Sequence, residues 1–170
     1  MKHIISVIVQ NKFGVLARVS GLFSSRGYNI DSLTVGETND PSISRMTIVV
    51  RGNDSILEQV MKQLDKLVDV IEVTDLPREN SVRRELCLIK VSCEARTRTE
   101  ILEIVNVFRA KTIDVGHKSL MIQITGTEGK INAFIRLMEP FQILEMARTG
   151  VVAMLRELND KQENEDNSQA

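Results

Sequence analysis

Apolar positions along the chain alternate between strand-like and helix-like spacing. The nearly continuous apolar run from His3 to Val9 is typical of a central strand that is covered on both faces. After a break at Asn11 to Gly14, apolar residues recur at helical spacing, which predicts a helix that Gly27 ends. The apolar face of this helix consists of Val15, Leu16, Val19, Leu22 and Phe23.

Further strands and a second helix complete this half of the chain. Asn29 to Glu37 is predicted to be a more polar strand, and Met46 to Val50 a second apolar one. Ser55 and Glu58 have the spacing of a capping box at the start of the next helix. Val68 to Val73 closes the unit as a strand. The apolar face of the second helix consists of Leu57, Val60, Met61 and Leu64.

The resulting order is β-α-β-β-α-β, the ferredoxin-like arrangement, in which the first and third strands are central. The pattern then repeats, because a shift of 74 residues superimposes eight positions without a gap. We therefore predict an α+β fold with two ferredoxin-like βαββαβ domains in tandem. The superimposed pairs are Ile48 with Ile122, Val50 with Ile124, Gly52 with Gly126, Leu57 with Ile131, Val60 with Phe134, Met61 with Ile135, Leu64 with Met138, and Val70 with Leu144.

Domain bounds follow from changes in composition. We predict a first domain over residues 1–76, a polar linker over 77–85, a second domain over 86–158 and a disordered polar tail over 159–170.

The second copy is predicted to begin with a strand at Leu86 to Cys93. Thr97 and Glu100 repeat the capping-box spacing, before a helix face of Ile101, Leu102, Val105 and Phe108. A strand pair is expected at 112–115 and 119–125. Gly150 to Leu158 either extends the last strand or adds a helical turn.

Composition argues against several classes of protein. Lys plus Arg number 22 and Asp plus Glu number 23, which disfavours a nucleic-acid binder. No apolar stretch is long enough for a membrane span, and no signal peptide is evident, so a cytoplasmic location is expected. Cys87 and Cys93 are expected to be reduced core thiols. His3 and His117 lack partners at metal-ligand spacing, so no metal site is expected.

Common catalytic motifs are absent from the sequence, but one loop has binding chemistry. Asn11 to Leu16 joins a central strand to a helix, and Gly14 in this loop permits close approach of a ligand to the backbone. Free N–H groups at the helix start favour a carboxylate, Asn11 offers amide groups, and Val15 and Leu16 are aliphatic. An apolar amino acid suits this arrangement. An ordinary strand-to-helix turn would have the same spacing.

Several segments resemble acetolactate synthase small subunits and their ACT domain. In the first copy these are G-V-L-A-R-V-S-G-L-F at 14–23, R-G-Y-N-I-D-S-L-T-V at 26–35, S-R-M-T-I-V-V at 44–50 and K-Q-L-D-K-L-V-D-V at 62–70. In the second they are F-R-A-K-T-I-D-V at 108–115 and A-R-T-G-V-V-A at 147–153. The resemblance covers nearly the whole chain up to the tail.

The resemblance implies a non-catalytic regulatory subunit that forms a homodimer through its ACT domains. Its effector would be valine or another branched-chain amino acid, bound by the first loop of one chain and the start of the second strand of the other. The implied effector-binding residues are Asn11, Gly14, Val15, Leu16, Asn29 and Ile30. A separate catalytic subunit would carry thiamine diphosphate, Mg and FAD, whereas this chain would bind no cofactor.

Other interpretations remain open at the level of sequence. A free-standing amino-acid sensor would need an output module, which is not evident. A ferredoxin-like acylphosphatase would need an Arg near the loop, and Arg18 lies one helical turn past it. The second copy has Arg96 and Arg98 in the corresponding loop and no Gly, so it suits the same ligand less well, although these cations could attract an anion.

Overall fold

Two antiparallel sheets organise the chain, one in each of two units. The computed structural model describes residues 1–157. The first unit comprises Met1–Val82 together with the segment that begins at Ala153, and the second comprises Arg83–Val152. The polar tail expected from residue 159 onward lies outside the described residues.

The first unit has the predicted β-α-β-β-α-β order. Its sheet has the strand order β2-β3-β1-β4, so the first and third strands are central, as expected. The elements are β1 (Lys2–Gln10), α1 (Val15–Ser25), β2 (Ile30–Glu37), β3 (Ile43–Arg51), α2 (Asp54–Leu64) and β4 (Val70–Asp75).

The second unit repeats this order, with a sheet ordered β6-β7-β5-β8. A short 3-10 turn at Glu139–Phe141 precedes its last strand. The elements are β5 (Ser81–Ser92), α3 (Arg98–Val107), β6 (Lys111–Val115), β7 (Ser119–Gly126), α4 (Glu128–Met138) and β8 (Ile143–Arg148). The predicted ferredoxin-like fold is therefore confirmed for both copies.

Each unit has its own apolar core. In the first unit, alternate residues of β1 and β3, including Ile5 and Ile48, pack with Val19 and Phe23 of α1 and with Val60 of α2. The second core also contains two ring systems in edge contact, since Phe108 and Phe134 have ring centroids 5.4 Å apart. Cys87 and Cys93 are free thiols in this second core, as expected, and burial raises the pKa of Cys87.

The 74-residue repeat describes only the later part of each copy. Ile5 is the register partner of Ile48 in the first sheet, and Ile89 is that of Ile122 in the second. The third strands are thus offset by 74 residues but the first strands by 84. The segment between them is shorter in the second copy, where β6 has 5 residues against 8 for β2.

Both predicted capping boxes are wrong in detail. Helix α2 is capped by Asn53, whose side chain accepts a hydrogen bond from the backbone N–H of Ile56 at 3.0 Å, and Ser55 lies inside the helix. Thr97 does occupy the N-cap position of α3, but its side chain makes no cap hydrogen bond. Its hydroxyl instead accepts from the backbone N–H of Glu94 at 3.1 Å.

Strand β5 begins at Ser81, inside the segment whose charged residues predicted a linker. A buried carboxylate explains the difference. Glu85 is buried in the strand and accepts two hydrogen bonds from Arg148 of β8, from Nε at 2.6 Å and from Nη2 at 2.8 Å. Because a paired carboxylate is compatible with burial, the charge of Glu85 did not indicate a solvated loop.

Residues near the end of the described chain form a separate strand, β9 (Val152–Leu155), which pairs with β5. The expectation of an extended last strand or a helical turn was therefore wrong. Gly150 adopts a φ of 81°, in the left-handed region, and separates β9 from β8. Two positions of the predicted helix faces, Leu16 and Leu102, are exposed rather than buried.

Two phenylalanines ten residues apart in the first unit should differ sharply in their contribution to stability. The side chain of Phe23 is 1% exposed and that of Phe13 is fully exposed at 102%. We expect Phe23→Ala to lower the free energy of unfolding by about 3–5 kcal/mol, through lost burial and an unfilled cavity. Phe13→Ala should change it by less than about 0.5 kcal/mol. Urea denaturation monitored by circular dichroism measures both, and similar losses would contradict the assignment of the core.

Candidate functional site

The loop between β1 and α1 is held by hydrogen bonds to the end of β2 and to the turn that follows it. The backbone N–H of Asn11 donates to the carbonyl of Ser42 at 2.7 Å. Its side-chain Nδ2 donates to Glu37 Oε1 at 3.1 Å and to the carbonyl oxygen of Pro41 at 2.9 Å. These bonds join residues 26 to 31 positions apart and fix where the loop starts.

Gly14 gives this loop its shape at the start of α1. It is the N-cap residue, with φ 82° and ψ −8°, a left-handed conformation that favours glycine. Its carbonyl accepts from the backbone N–H of Arg18 at 3.0 Å, which begins the helical hydrogen-bonding pattern. A side chain at this position would be strained, and its Cβ would lie 3.1 Å from Arg18 Nη1.

The first turn of α1 presents two backbone N–H donors that no described residue accepts from. The N–H groups of Leu16 and Ala17 form no hydrogen bond with residues 1–157, and the first turn contains no acidic residue. Such groups and the helix dipole favour an anion. The arrangement is suited to a ligand carboxylate.

The two aliphatic residues predicted beside this turn have different environments. Val15 is buried and packs in the core of the first unit, which holds the start of α1 against the sheet. Leu16 is 46% exposed and lies on the side of the helix that faces away from the core. Of the two, only Leu16 offers apolar surface to a ligand.

Arg18 is engaged by a residue that sequence spacing did not indicate. Asp69, in the loop between α2 and β4, accepts a hydrogen bond from Arg18 Nε at 2.7 Å, and Arg18 Nη2 lies 2.7 Å from the same carboxylate oxygen. The backbone carbonyl of Asp69 also accepts from the N–H of Gln10 at 2.9 Å. Arg18 is half exposed, but its guanidinium already has a carboxylate partner. This ion pair links α1 to the loop that precedes β4.

Asn29 and Ile30 lie at the other end of the sheet. Ile30 pairs with Val50 of β3, whereas Gln10, at the end of β1, pairs with Ile43. Ile43 and Val50 are seven positions apart along β3, so the end of β1 and the start of β2 are separated by roughly 23 Å at about 3.3 Å per residue. Within one chain, the β1–α1 loop and the start of β2 are thus too far apart to contact one amino acid.

The start of β2 contains a small polar cluster. Asn29 Nδ2 donates to Asp31 Oδ1 at 3.1 Å, and Arg51 Nε donates to Asp31 Oδ2 at 2.6 Å. The hydrogen bond from Arg51 keeps the pKa of the Asp31 carboxyl below its usual value, so this carboxylate is ionised at neutral pH. The side chain of Asp31 is only 13% exposed.

The corresponding loop of the second unit is built differently. Arg96 Nε is paired with Glu94 Oε2 at 2.9 Å, and Arg98 Nη2 donates to the carbonyl of Gly116 at 3.0 Å. Both arginines considered as anion ligands therefore already have protein partners. This loop also lacks a glycine equivalent to Gly14 of the first unit.

Within the part of the chain that the structure describes, no three His, Cys, Asp or Glu residues are grouped so that they could bind a metal ion. None of the helices described is both long and apolar enough to cross a membrane.

Two family models match the chain, one over each unit. A model described as an AHAS small subunit-like ACT domain matches residues 5–72, and one described as the small subunit of acetolactate synthase matches residues 84–157. Among curated proteins, the probable acetolactate synthase small subunit of Archaeoglobus fulgidus is 56% identical, over 92% of this chain and 98% of that protein. The acetolactate synthase small subunit of Mycolicibacterium smegmatis is 54% identical, over 91% of each.

A solved structure agrees with these matches. The crystal structure of the acetolactate synthase small subunit from Thermotoga maritima superimposes with a TM-score of 0.89 and 45% sequence identity, covering 94% of this chain and 99% of that one. Sequence and fold thus agree over both units. The chain belongs to the family of acetolactate synthase small subunits, and its first unit is an ACT domain.

Proposed function

We propose that the chain is the non-catalytic regulatory subunit of acetolactate synthase and that it binds valine, or another branched-chain amino acid, at the β1–α1 loop. Without effector it activates a separate catalytic subunit, and with effector it inhibits that subunit. The partner would carry thiamine diphosphate, Mg and FAD and convert pyruvate to acetolactate. A cytoplasmic location is part of this proposal. Membership of the small-subunit family supports the regulatory role.

One observation carries the choice of ligand. The unpaired backbone donors of Leu16 and Ala17 lie at a helix start that has no acidic residue in its first turn. They suit a carboxylate, while the exposed side chain of Leu16 next to them suits a short aliphatic group. Asn11, whose side chain is anchored close by, supplies a polar group for the ligand amine. A branched-chain amino acid combines these three features.

A homodimer would complete the site. Strand β2 is at the edge of the first sheet, and its N–H and C=O groups on that side can pair with another strand. Antiparallel pairing of β2 with the same strand of a second copy would place the Glu37 end of one beside the Ile30 end of the other. Since Asn11 is bonded to Glu37, its loop would then lie near Asn29 of the partner subunit. In such a dimer, the β1–α1 loop of one copy and the start of β2 of the other would lie close enough to contact the same amino acid.

The division of roles between the two copies is also a proposal. All six proposed effector-binding residues lie within residues 1–76. The second copy, proposed as residues 86–158, has no glycine in the corresponding loop, and Arg96 and Arg98 of that loop already have protein partners. We propose that it transmits or stabilises the inhibited state rather than binding the same ligand.

Calorimetry should detect binding of branched-chain amino acids to the full-length chain. For ligands of this size we expect dissociation constants between about micromolar and millimolar, or roughly −8 to −4 kcal/mol. Valine should bind best. The binding free energies of isoleucine and leucine should differ from that of valine by no more than the effect of one methylene group, about 1–3 kcal/mol. If none of the three produces heat at millimolar concentration, the sensor role is wrong.

Gly14→Asp should abolish or strongly weaken valine binding while the domain stays folded. The substitution adds a negative charge where the ligand carboxylate is proposed to lie, and a Cβ in a left-handed conformation at a cost of about 1–2 kcal/mol. Gly21→Asp is the matched control, because Gly21 lies farther along the same helix and its Cβ would meet nothing within 4 Å. Valine titration and thermal denaturation of both variants test the prediction. Equal valine affinity in the two would mean that the site lies elsewhere.

Reconstitution with the catalytic subunit tests the regulatory role. Adding the chain should raise the rate of acetolactate formation, and valine should then lower it. The Gly14→Asp variant should still activate but be insensitive to valine. A free-standing amino-acid sensor is the alternative function. It would bind valine in calorimetry, would not alter the catalytic rate and would not co-purify with a thiamine-diphosphate protein.

A further inference from the structure

The amide of Asn11 has a fixed orientation that determines which of its atoms faces a ligand. Its two hydrogen-bonding partners on one side are the carboxylate of Glu37, at 3.1 Å, and the carbonyl oxygen of Pro41, at 2.9 Å. Both of these oxygens accept hydrogen bonds, so the NH₂ group of Asn11 must face them. Among the described residues, none donates to the amide oxygen of Asn11. The atom left for a ligand is therefore an acceptor.

Asn29 is oriented by the same principle at the other end of β2. Its NH₂ group donates to Asp31 Oδ1 at 3.1 Å. The second oxygen of that carboxylate accepts from Arg51 Nε at 2.6 Å, and this bond holds the carboxylate in place and ionised. No described residue donates to the amide oxygen of Asn29. Here too an acceptor remains available.

We propose that Glu37 and Asp31 are positioning residues that fix both amides as acceptors, so that the site selects a protonated α-amine over other groups at the same carbon. The inference rests on the proposed function, because it takes Asn11 of one copy and Asn29 of the partner subunit to share one ligand. Neither carboxylate touches the ligand. Each acts through the asparagine whose NH₂ group it binds.

The chemistry of the ligand then sets an order of preference. An ammonium group donates charge-assisted hydrogen bonds to two amide oxygens at once. The hydroxyl of the corresponding 2-hydroxy acid has one neutral donor and satisfies only one of them. The carbonyl of the 2-oxo acid has no donor, so its oxygen would oppose both amide oxygens. The site should therefore bind the amino acid, then the hydroxy acid, then the oxo acid, although all three have the same carboxylate and side chain.

Both positioning carboxylates lie on strand β2, so the same strand orients the amide of Asn11 and the amide of Asn29. Asp31 is the second residue of β2 and Glu37 is the last. In the proposed antiparallel pairing, Glu37 of one copy and Asp31 of the partner subunit lie at the same end of the interface. The edge strand would thus form the dimer and also set the hydrogen-bonding polarity of the site.

The test is calorimetry of the full-length chain with valine, 2-hydroxy-3-methylbutanoate and 3-methyl-2-oxobutanoate. Wild type should bind the hydroxy acid at least about tenfold more weakly than valine, and the oxo acid more weakly still. Asp31→Ala removes the acceptor of the Asn29 amide and lets it rotate, whereas Glu37→Leu leaves the Pro41 carbonyl as the remaining acceptor for Asn11. In Asp31→Ala, valine affinity should fall by about tenfold while hydroxy-acid affinity changes little, so the ratio between them approaches one. Glu37→Leu should lower the same ratio by a smaller factor. Glu37→Gln retains an acceptor for Asn11 and should keep most of the preference.

Glu72→Leu is the matched control, since Glu72 is an exposed carboxylate on β4, at the opposite edge of the sheet. It should leave the ligand ratio unchanged, and thermal denaturation should report a folded protein for every variant. Equal weakening of all three ligands in Glu37→Leu would assign that residue a structural role only and overturn the inference. Wild type that binds valine and the oxo acid equally would overturn it while leaving the effector site intact. Wild type that binds no amino acid would overturn the proposed function and the inference together.

Discussion

The antiparallel pairing of β1 with β3 determines where the proposed binding residues of the ACT domain lie. Nine consecutive residue pairs run from Lys2 with Arg51 to Gln10 with Ile43, without a bulge. Side chains on one face of this pair form the core with α1 and α2, so a shift of one residue would turn them away from the helices. Since this register places the β1–α1 loop and the start of β2 at opposite sheet ends, a site that uses both needs two copies of the chain.

Long-range polar contacts then shape the loop. Asn11 is tied to Glu37, and Arg18 is tied to Asp69, which is 51 residues away. Neither side chain is deeply buried, so each contact contributes little to global stability. Their effect is on geometry, because together they hold Gly14 and the first turn of α1 in one position. Such preorganisation reduces the ordering cost of binding a small ligand.

Hydrophobic periodicity predicted the strand and helix order of both units because burial dominates that pattern. It failed at Glu85, where pairing with Arg148 makes burial of a charge acceptable within β5. The loop at Asn11 to Gly14 was also recognisable, because strand, glycine and helix follow one another directly. The roles of Glu37 and Asp69 were not, since a hydrogen bond between residues distant in sequence leaves no spacing signal. Asn29 entered the site only through resemblance to the family.

A ligand shared between two copies has a thermodynamic consequence for assembly. If the effector contacts both chains, it binds the pair more tightly than the single chain, so its binding free energy stabilises the pair. By reciprocity, pairing raises effector affinity by the same factor. The position of β2 at the edge of the sheet fits this coupling, because an edge strand can pair with a strand of another chain and the exposed side chain of Val35 would be covered there. The effector concentration would then set the strength of the pairing between the two β2 strands.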